Sequence, residues 1–138
     1  MFLAFLLLSW FAAPATSQTP TYEYGEPEEM RGLTKLHVDA GTDVDLHRIM
    51  RKIIEKREPR LKVVPLEEAE FSIALFHRTA RNSKGRLFFL GELDVITNGK
   101  NDLRLLSKYR HEEEELDDLA DEIVKAFLKE YKRVNAGK

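Results

Sequence analysis

The chain has 138 residues, with 22 Lys and Arg against 24 Asp and Glu and a net charge of −2. Near-balanced charge excludes a nucleic-acid binder or a polybasic membrane module that works by bulk electrostatics. The absence of Cys excludes disulfides, thiolate metal ligands and a cysteine nucleophile.

Residues 1–17 hold no charged side chain, and Phe2–Ala13 (FLAFLLLSWFAA) is one apolar run. A membrane span takes about 20 apolar residues, so this run is too short to anchor the chain. Its length and the small residues after it predict a secretory signal peptide over residues 1–17, cleaved after Ala15 or Ser17. The stretch before the run departs from the usual basic start, having only the terminal amine. Secreted or periplasmic localisation follows, with no stable membrane span after cleavage. Residues 18–32 (QTPTYEYGEPEEMRG) are rich in Pro, Gly and Glu and have little to bury, which predicts a flexible leader.

From Leu33 the pattern is regular. Leu33–Asp39 alternates as a strand and ends at Ala40-Gly41. Thr42-x-x-Asp45 has the form of a capping box, with Thr42 as the cap. Leu46, Ile49, Met50, Ile53 and Ile54 then fall on one helix face, and Pro59 ends the helix. Leu61–Val64 and Phe71–Thr79 read as strands, the latter central. Arg81–Gly85 turns the chain into a strand over Arg86–Ile96, and Asp102–Arg110 is the return strand. Leu116 to Val134 carries an apolar stripe at helical spacing, with Glu112–Glu115 expected in its first turn.

The expected fold is therefore α/β (α+β), in the order β-α-β-β-β-β-α, as a single domain over residues 33–134 with a disordered tail at 135–138. It is a two-layer sandwich, a five-stranded mixed sheet with both helices on one face. The link Pro65–Glu70 is short for a parallel crossover, which usually takes a dozen residues. Either it makes a tight helical turn or the strand before it runs antiparallel. In the last hairpin, matching apolar to apolar sets Val95 opposite Leu103, Leu93 opposite Leu105 and Asp94 opposite Arg104. The loop is then Asn98-Gly99-Lys100.

The run Leu61-Lys62-Val63-Val64-Pro65-Leu66-Glu67-Glu68-Ala69-Glu70-Phe71-Ser72-Ile73-Ala74-Leu75 resembles a connection found in small Rossmann-like domains. There one turn carries the chain across the first strand to give the order 2-1-3. With the later strands and the closing helix at Leu119-Ala120-Asp121-Glu122-Ile123, residues 33–134 resemble the α/β domains of bacterial envelope accessory proteins. These are the TolB amino-terminal domain and the CsgG/LpoB group. The resemblance is one of topology. It implies a protein-interaction role in the periplasm and no catalytic residues. The chain lacks the lipobox cysteine of the lipoprotein members.

No phosphate-binding glycine loop, nucleophile elbow or H-E-x-x-H motif is present. His37 and His77 lie on strands that would be neighbours, but the spacing specifies no third ligand, so no metal or cofactor is expected. Glu92 and Asp94 share a strand face without a nucleophile beside them, and alternation predicts solvated positions. No enzyme is expected. The remaining feature is the sheet face away from the helices. It would carry Lys35, His37, Arg78, Arg86, Arg104, Lys108 and Arg110, with Phe76 and Phe88 among them. Such a face is either simply solvated or a docking surface for a protein partner or an anionic envelope polymer. The alternative function is a small-molecule site in the crevice at Ala40-Gly41 and the start of the first helix. The chain would be a monomer or a weak oligomer.

Overall fold

The computed structural model describes residues 23–98 and 103–137. The expected signal peptide lies outside the described residues. Eight elements follow: β1 (Glu23–Tyr24), β2 (Lys35–Asp39), α1 (Val44–Arg57), β3 (Lys62–Val63), β4 (Phe71–Arg81), β5 (Leu87–Asn98), β6 (Leu103–Glu113) and α2 (Leu116–Val134). Among the described residues the fold is mixed α+β, with two α-helices and one six-stranded sheet in the order β1-β6-β5-β4-β2-β3.

The parallel end of the sheet is built by the short link. β3 and β4 both pair parallel with β2, giving the expected 2-1-3 arrangement of these strands. The link makes the tight turn, a 3-10 turn at Leu66–Glu68. Glu70 then fastens it: its carboxylate accepts from the Thr34 and Lys35 amides at 2.9 and 3.0 Å, and its own amide donates to the Lys35 carbonyl.

The sheet has one strand more than expected, and that strand comes from the leader. β1 pairs parallel with β6, Glu23 opposite Arg104. A 3-10 turn at Pro27–Met30 follows, and it drops Met30 fully buried into the core. The expected flexible leader is thus ordered from Glu23 on. One methionine supplies apolar burial, and Arg104 ties Glu23 and Glu29 to β6 at 3.0 and 2.9 Å. The expected disordered tail is corrected in the same way. Asn135 is buried, donates to the Tyr131 carbonyl and accepts from the Gly32 amide at 2.8 Å, joining the two ends of the domain.

A single apolar core joins Leu36, Val38, Phe71, Ile73, Leu75, Leu93 and Val95 of the sheet to both helices. From α1 come Leu46, Met50 and Ile54; from α2 come Ala120, Ile123, Val124, Phe127, Leu128, Tyr131 and Val134. Phe71 stacks on Tyr131 with ring centroids 6.2 Å apart and meets Phe127 at 6.3 Å. Burial of each such side chain is worth roughly 1.5–3 kcal/mol.

The helix starts differ from expectation by a few residues. Asp43, not Thr42, caps α1, its carboxylate accepting from the Leu46 amide at 3.0 Å. The acidic run does not open α2: β6 continues through Glu113, and Asp117 and Asp118 occupy the first helical turn. Both substitutes provide the same physics, an acid at the positive end of the helix dipole.

The larger correction is the register of the last hairpin. Asn98 pairs with Leu103, Thr97 with Arg104 and Ile96 with Leu105, so the loop is longer than the three residues expected. A bulge then shifts the ladder, and Val95 faces Ser107, Asp94 faces Lys108 and Leu93 faces Tyr109. The residue skipped on β6 is Leu106, which is buried in the core, while the Ser107 hydroxyl donates to Glu130 of α2 at 2.8 Å. A bulge turns two successive side chains to one side. Simple alternation along β6 therefore fails at Leu106.

Candidate binding face

Pairing fixes which side chains share the sheet face opposite the core, because residues directly opposite one another point the same way. Across the strands the rows read Asp39–Ala74–Asp94–Lys108, then Phe76–Glu92–Arg110, then Arg78–Leu90–Glu112, then Ala80–Phe88. In the other direction His37–Ser72–Ile96–Leu105 and Asn98–Leu103 complete the face.

Beyond the second row the face forms an open cleft of about 640 Å³. Its outward-facing walls are Phe76, Arg78, Leu90, Glu92, Arg110 and Glu112. Phe76 is 54% exposed although it is a large aromatic side chain. A smaller groove of about 280 Å³ runs past His37, Asp39, Ala74, Ile96 and Leu103.

An ion network lies between them. Glu92 accepts from Lys108 Nζ at 2.9 Å and from Arg110 Nε at 3.0 Å, and these two cations hold its carboxyl below the usual carboxylate range. Asp94, two residues on, is only 6% exposed. Its Oδ1 accepts no hydrogen bond among the described residues, although Lys108 Nζ stands 3.4 Å away. Burial raises the Asp94 pKa, and attraction to Lys108 offsets this in part. Oppositely shifted carboxylates are a pattern of acid–base sites. Here, however, the cleft lining includes Glu92 and leaves out Asp94, so the carboxyl with the raised pKa does not face the open space. The expectation that both acids are solvated is corrected for Asp94, which Ala74 and Lys108 flank in its row.

Of the nine expected binding residues, the fold gathers Phe76, Arg78, Phe88, Lys108 and Arg110 on neighbouring positions of β4, β5 and β6. Lys35 and His37 lie at the far side of the same face on β2, where the His37 Nδ1 is 3.3 Å from the Val64 carbonyl. Arg86 sits at the distal turn and bonds Glu114 at 2.9 Å. Arg104 is removed from the face altogether: the bulge turns it toward Glu29 and Glu23. The same shift brings out Leu103 and Leu105, which sequence reasoning had assigned to the core, and Leu103 is partly exposed. The face is therefore less basic than expected, with Arg78 and Arg110 balanced by Glu92 and Glu112 around the cleft.

The histidines are not assembled into a ligand set. His37 pairs with Ser72, whereas His77 pairs with Gly91 on the opposite parity of β4, so the two rings point to opposite faces. Among the described residues no group of three or more His, Asp or Glu has metal-binding geometry. At the start of α1 the Asp39 carboxylate accepts from the Gly41 amide at 2.8 Å and Asp43 caps the helix. Acids of the chain itself thus use donors that an anionic ligand would need.

No protein-family model and no curated protein matches the chain. Among solved structures it is similar to a PDZ domain protein from Parabacteroides distasonis, with 12% sequence identity and a TM-score of 0.49. The match covers 73% of this chain and 32% of that protein, so this chain spans about a third of its length.

Proposed function

We propose that this is a non-catalytic interaction module of the secreted or periplasmic space, in which both helices cover one sheet face and the other face docks a protein partner. The observation that carries the reading is the cleft of about 640 Å³ with an exposed Phe76 at its wall and charges of both signs around it. An anionic polymer would be drawn by a surplus of cations; a balanced set of two arginines and two glutamates around apolar groups suits a protein surface of mixed character. Export rests on the apolar run Phe2–Ala13 and the small residues after it. Resemblance to envelope accessory domains agrees with both statements.

A photo-crosslinking residue placed at Phe76 in the exported protein tests the docking face, with Val44 on α1, also exposed, as the control position. A discrete protein adduct at position 76 and none at 44 is expected. No adduct, or equal adducts at both, would overturn the reading, and adducts to polysaccharide alone would replace the protein with a polymer. Export itself predicts an intact mass beginning after Ala15 or Ser17. Exported material that still begins at Met1 would contradict it.

A further inference from the structure

β6, which borders the distal cleft, is also an exposed strand edge over most of its length. β1 pairs with β6 only at Arg104 and Leu105. From Leu106 to Glu113 the outer edge of β6 has no strand beside it among the described residues. An unpaired edge presents a row of backbone donors and acceptors ready for another strand.

The side chains on that edge are ordered by charge. On the cleft face β6 reads Lys108, Arg110, Glu112, and Glu114 follows just past its end. We propose that β6 pairs antiparallel with β6 of a second copy, about a two-fold axis at His111, to make one continuous sheet. This goes beyond the docking reading: it concerns the backbone edge of β6, although Arg110 and Glu112 also line the cleft. In this register Arg110 faces Glu112 of the other copy, Lys108 faces Glu114, and each pair occurs twice by symmetry. Slipping by two residues one way sets Arg110 against Arg110; slipping the other way sets Glu112 against Glu112. A one-residue slip would put opposite faces of the sheet together. Only the axis at His111 matches every cation with an acid.

The central pair is available for this, whereas Lys108 and Glu114 already bond Glu92 and Arg86 at 2.9 Å and would have to share those partners. Arg110 bonds Glu92 through Nε alone, and its side chain is 76% exposed, so the two terminal guanidinium nitrogens are available to a carboxylate. Glu112 is exposed and has no ion-pair partner among the described residues. Charges on an edge strand often serve to block pairing. Here each slip by two residues brings like charges together at the axis, and the register about His111 does not.

The experiment is sedimentation of the full mature chain over a range of concentrations, with wild type expected to dimerise. Arg110→Glu alone and Glu112→Arg alone each place like charges opposite one another, and each should weaken the dimer by about tenfold or more. The double exchange R110E/E112R should restore it. Mixing the two single variants should give heterodimers tighter than either homodimer, since one copy then carries only acids and the other only cations at these positions. Urea midpoints establish that every variant is folded. A wild type that stays monomeric at roughly millimolar concentration, well above the affinity range of specific dimers, would overturn the proposal. So would a dimer indifferent to both single changes, or one that neither the exchange nor the mixture restores.

Discussion

Leu93 and Leu87 lie on the same strand, on the same face, six residues apart, yet Leu93 is 0% exposed and Leu87 is 48% exposed. The difference runs through both β4 and β5. Near their paired root, Phe71, Ile73, Leu75 and Val95 are buried with the helices; toward the distal turn, His77, Thr79 and Leu87 on the same face are exposed. Strand pairing continues unbroken from one half to the other, to Arg81 opposite Leu87. What changes is the layer above. Stability is thus concentrated in the root, while the distal arm leaves apolar side chains such as Phe76 and Leu87 exposed. The comparison predicts the largest contrast between two identical substitutions. Leu93→Ala should cost about 2–5 kcal/mol, the range for emptying a core site. Leu87→Ala should change stability by less than about 0.5 kcal/mol. Urea unfolding of both variants measures it, and equal losses would show that the arm is part of the core.

Gly91 marks where the covered half ends. It sits between those two leucines on their face, and a Cβ there would meet the Leu119 side chain at 2.8 and 2.9 Å. Leu119 is itself fully buried near the start of α2, so it has little room to move. The bare backbone of Gly91 lets the helix reach the sheet. Gly91→Ala should therefore destabilise by about 1–3 kcal/mol through overpacking. Adding Leu119→Ala should make the double variant lose less than the sum of the two single losses. Additive losses would mean that the two sites do not touch in solution.

How much of this was legible depended on whether local pattern and tertiary contact agreed. The helical stripe from Leu116 to Val134 and the alternation of β2 are periodic, and their burial follows the period. The parallel crossover was readable as a choice between two outcomes, and the 3-10 turn with the Glu70 clamp decides it. The leader was misread because composition averages over a segment, whereas a single residue, Met30, finds a place in the core. The expected parity of side chains holds on β4 and β5 and on β6 from Lys108 on, and fails on β6 from Leu103 to Leu106, ahead of the bulge. Leu103-Arg104-Leu105-Leu106 alternates well enough to hide the extra residue. A sign was present in Leu105-Leu106, two adjacent leucines that one alternating strand cannot place on a single face. It does not say which of them the core will take.

The last effect is the one whose sign separates two kinds of buried acid. Glu58 and Asp94 are both buried, but Glu58 receives Arg60 on both oxygens, at 2.8 and 3.0 Å, and its pKa is lowered, mainly by that hydrogen bonding. Asp94 has its orphan Oδ1, and burial raises its pKa. For Glu58 the folded-state value lies below the unfolded one. Its contribution to stability is present above the ordinary carboxylate range and is lost as pH falls through the folded value. For Asp94 the order is reversed. The folded chain holds the proton more tightly, so any penalty is absent below the unfolded value and grows as pH rises through the folded one. Asparagine copies the protonated acid in shape and charge. Asp94→Asn should then stabilise the domain near pH 7 by up to about 1 kcal/mol, and the gain should vanish near pH 3, where the wild-type acid is itself protonated. Glu58→Gln should do the opposite at neutral pH, and its loss should shrink as pH falls toward the lowered folded-state value. Urea midpoints of the three proteins at the two pH values provide the test. Destabilisation by Asp94→Asn at neutral pH would mean that attraction to Lys108 at 3.4 Å outweighs the cost of burial. The root of this face would then be held together by charge instead of merely tolerating it.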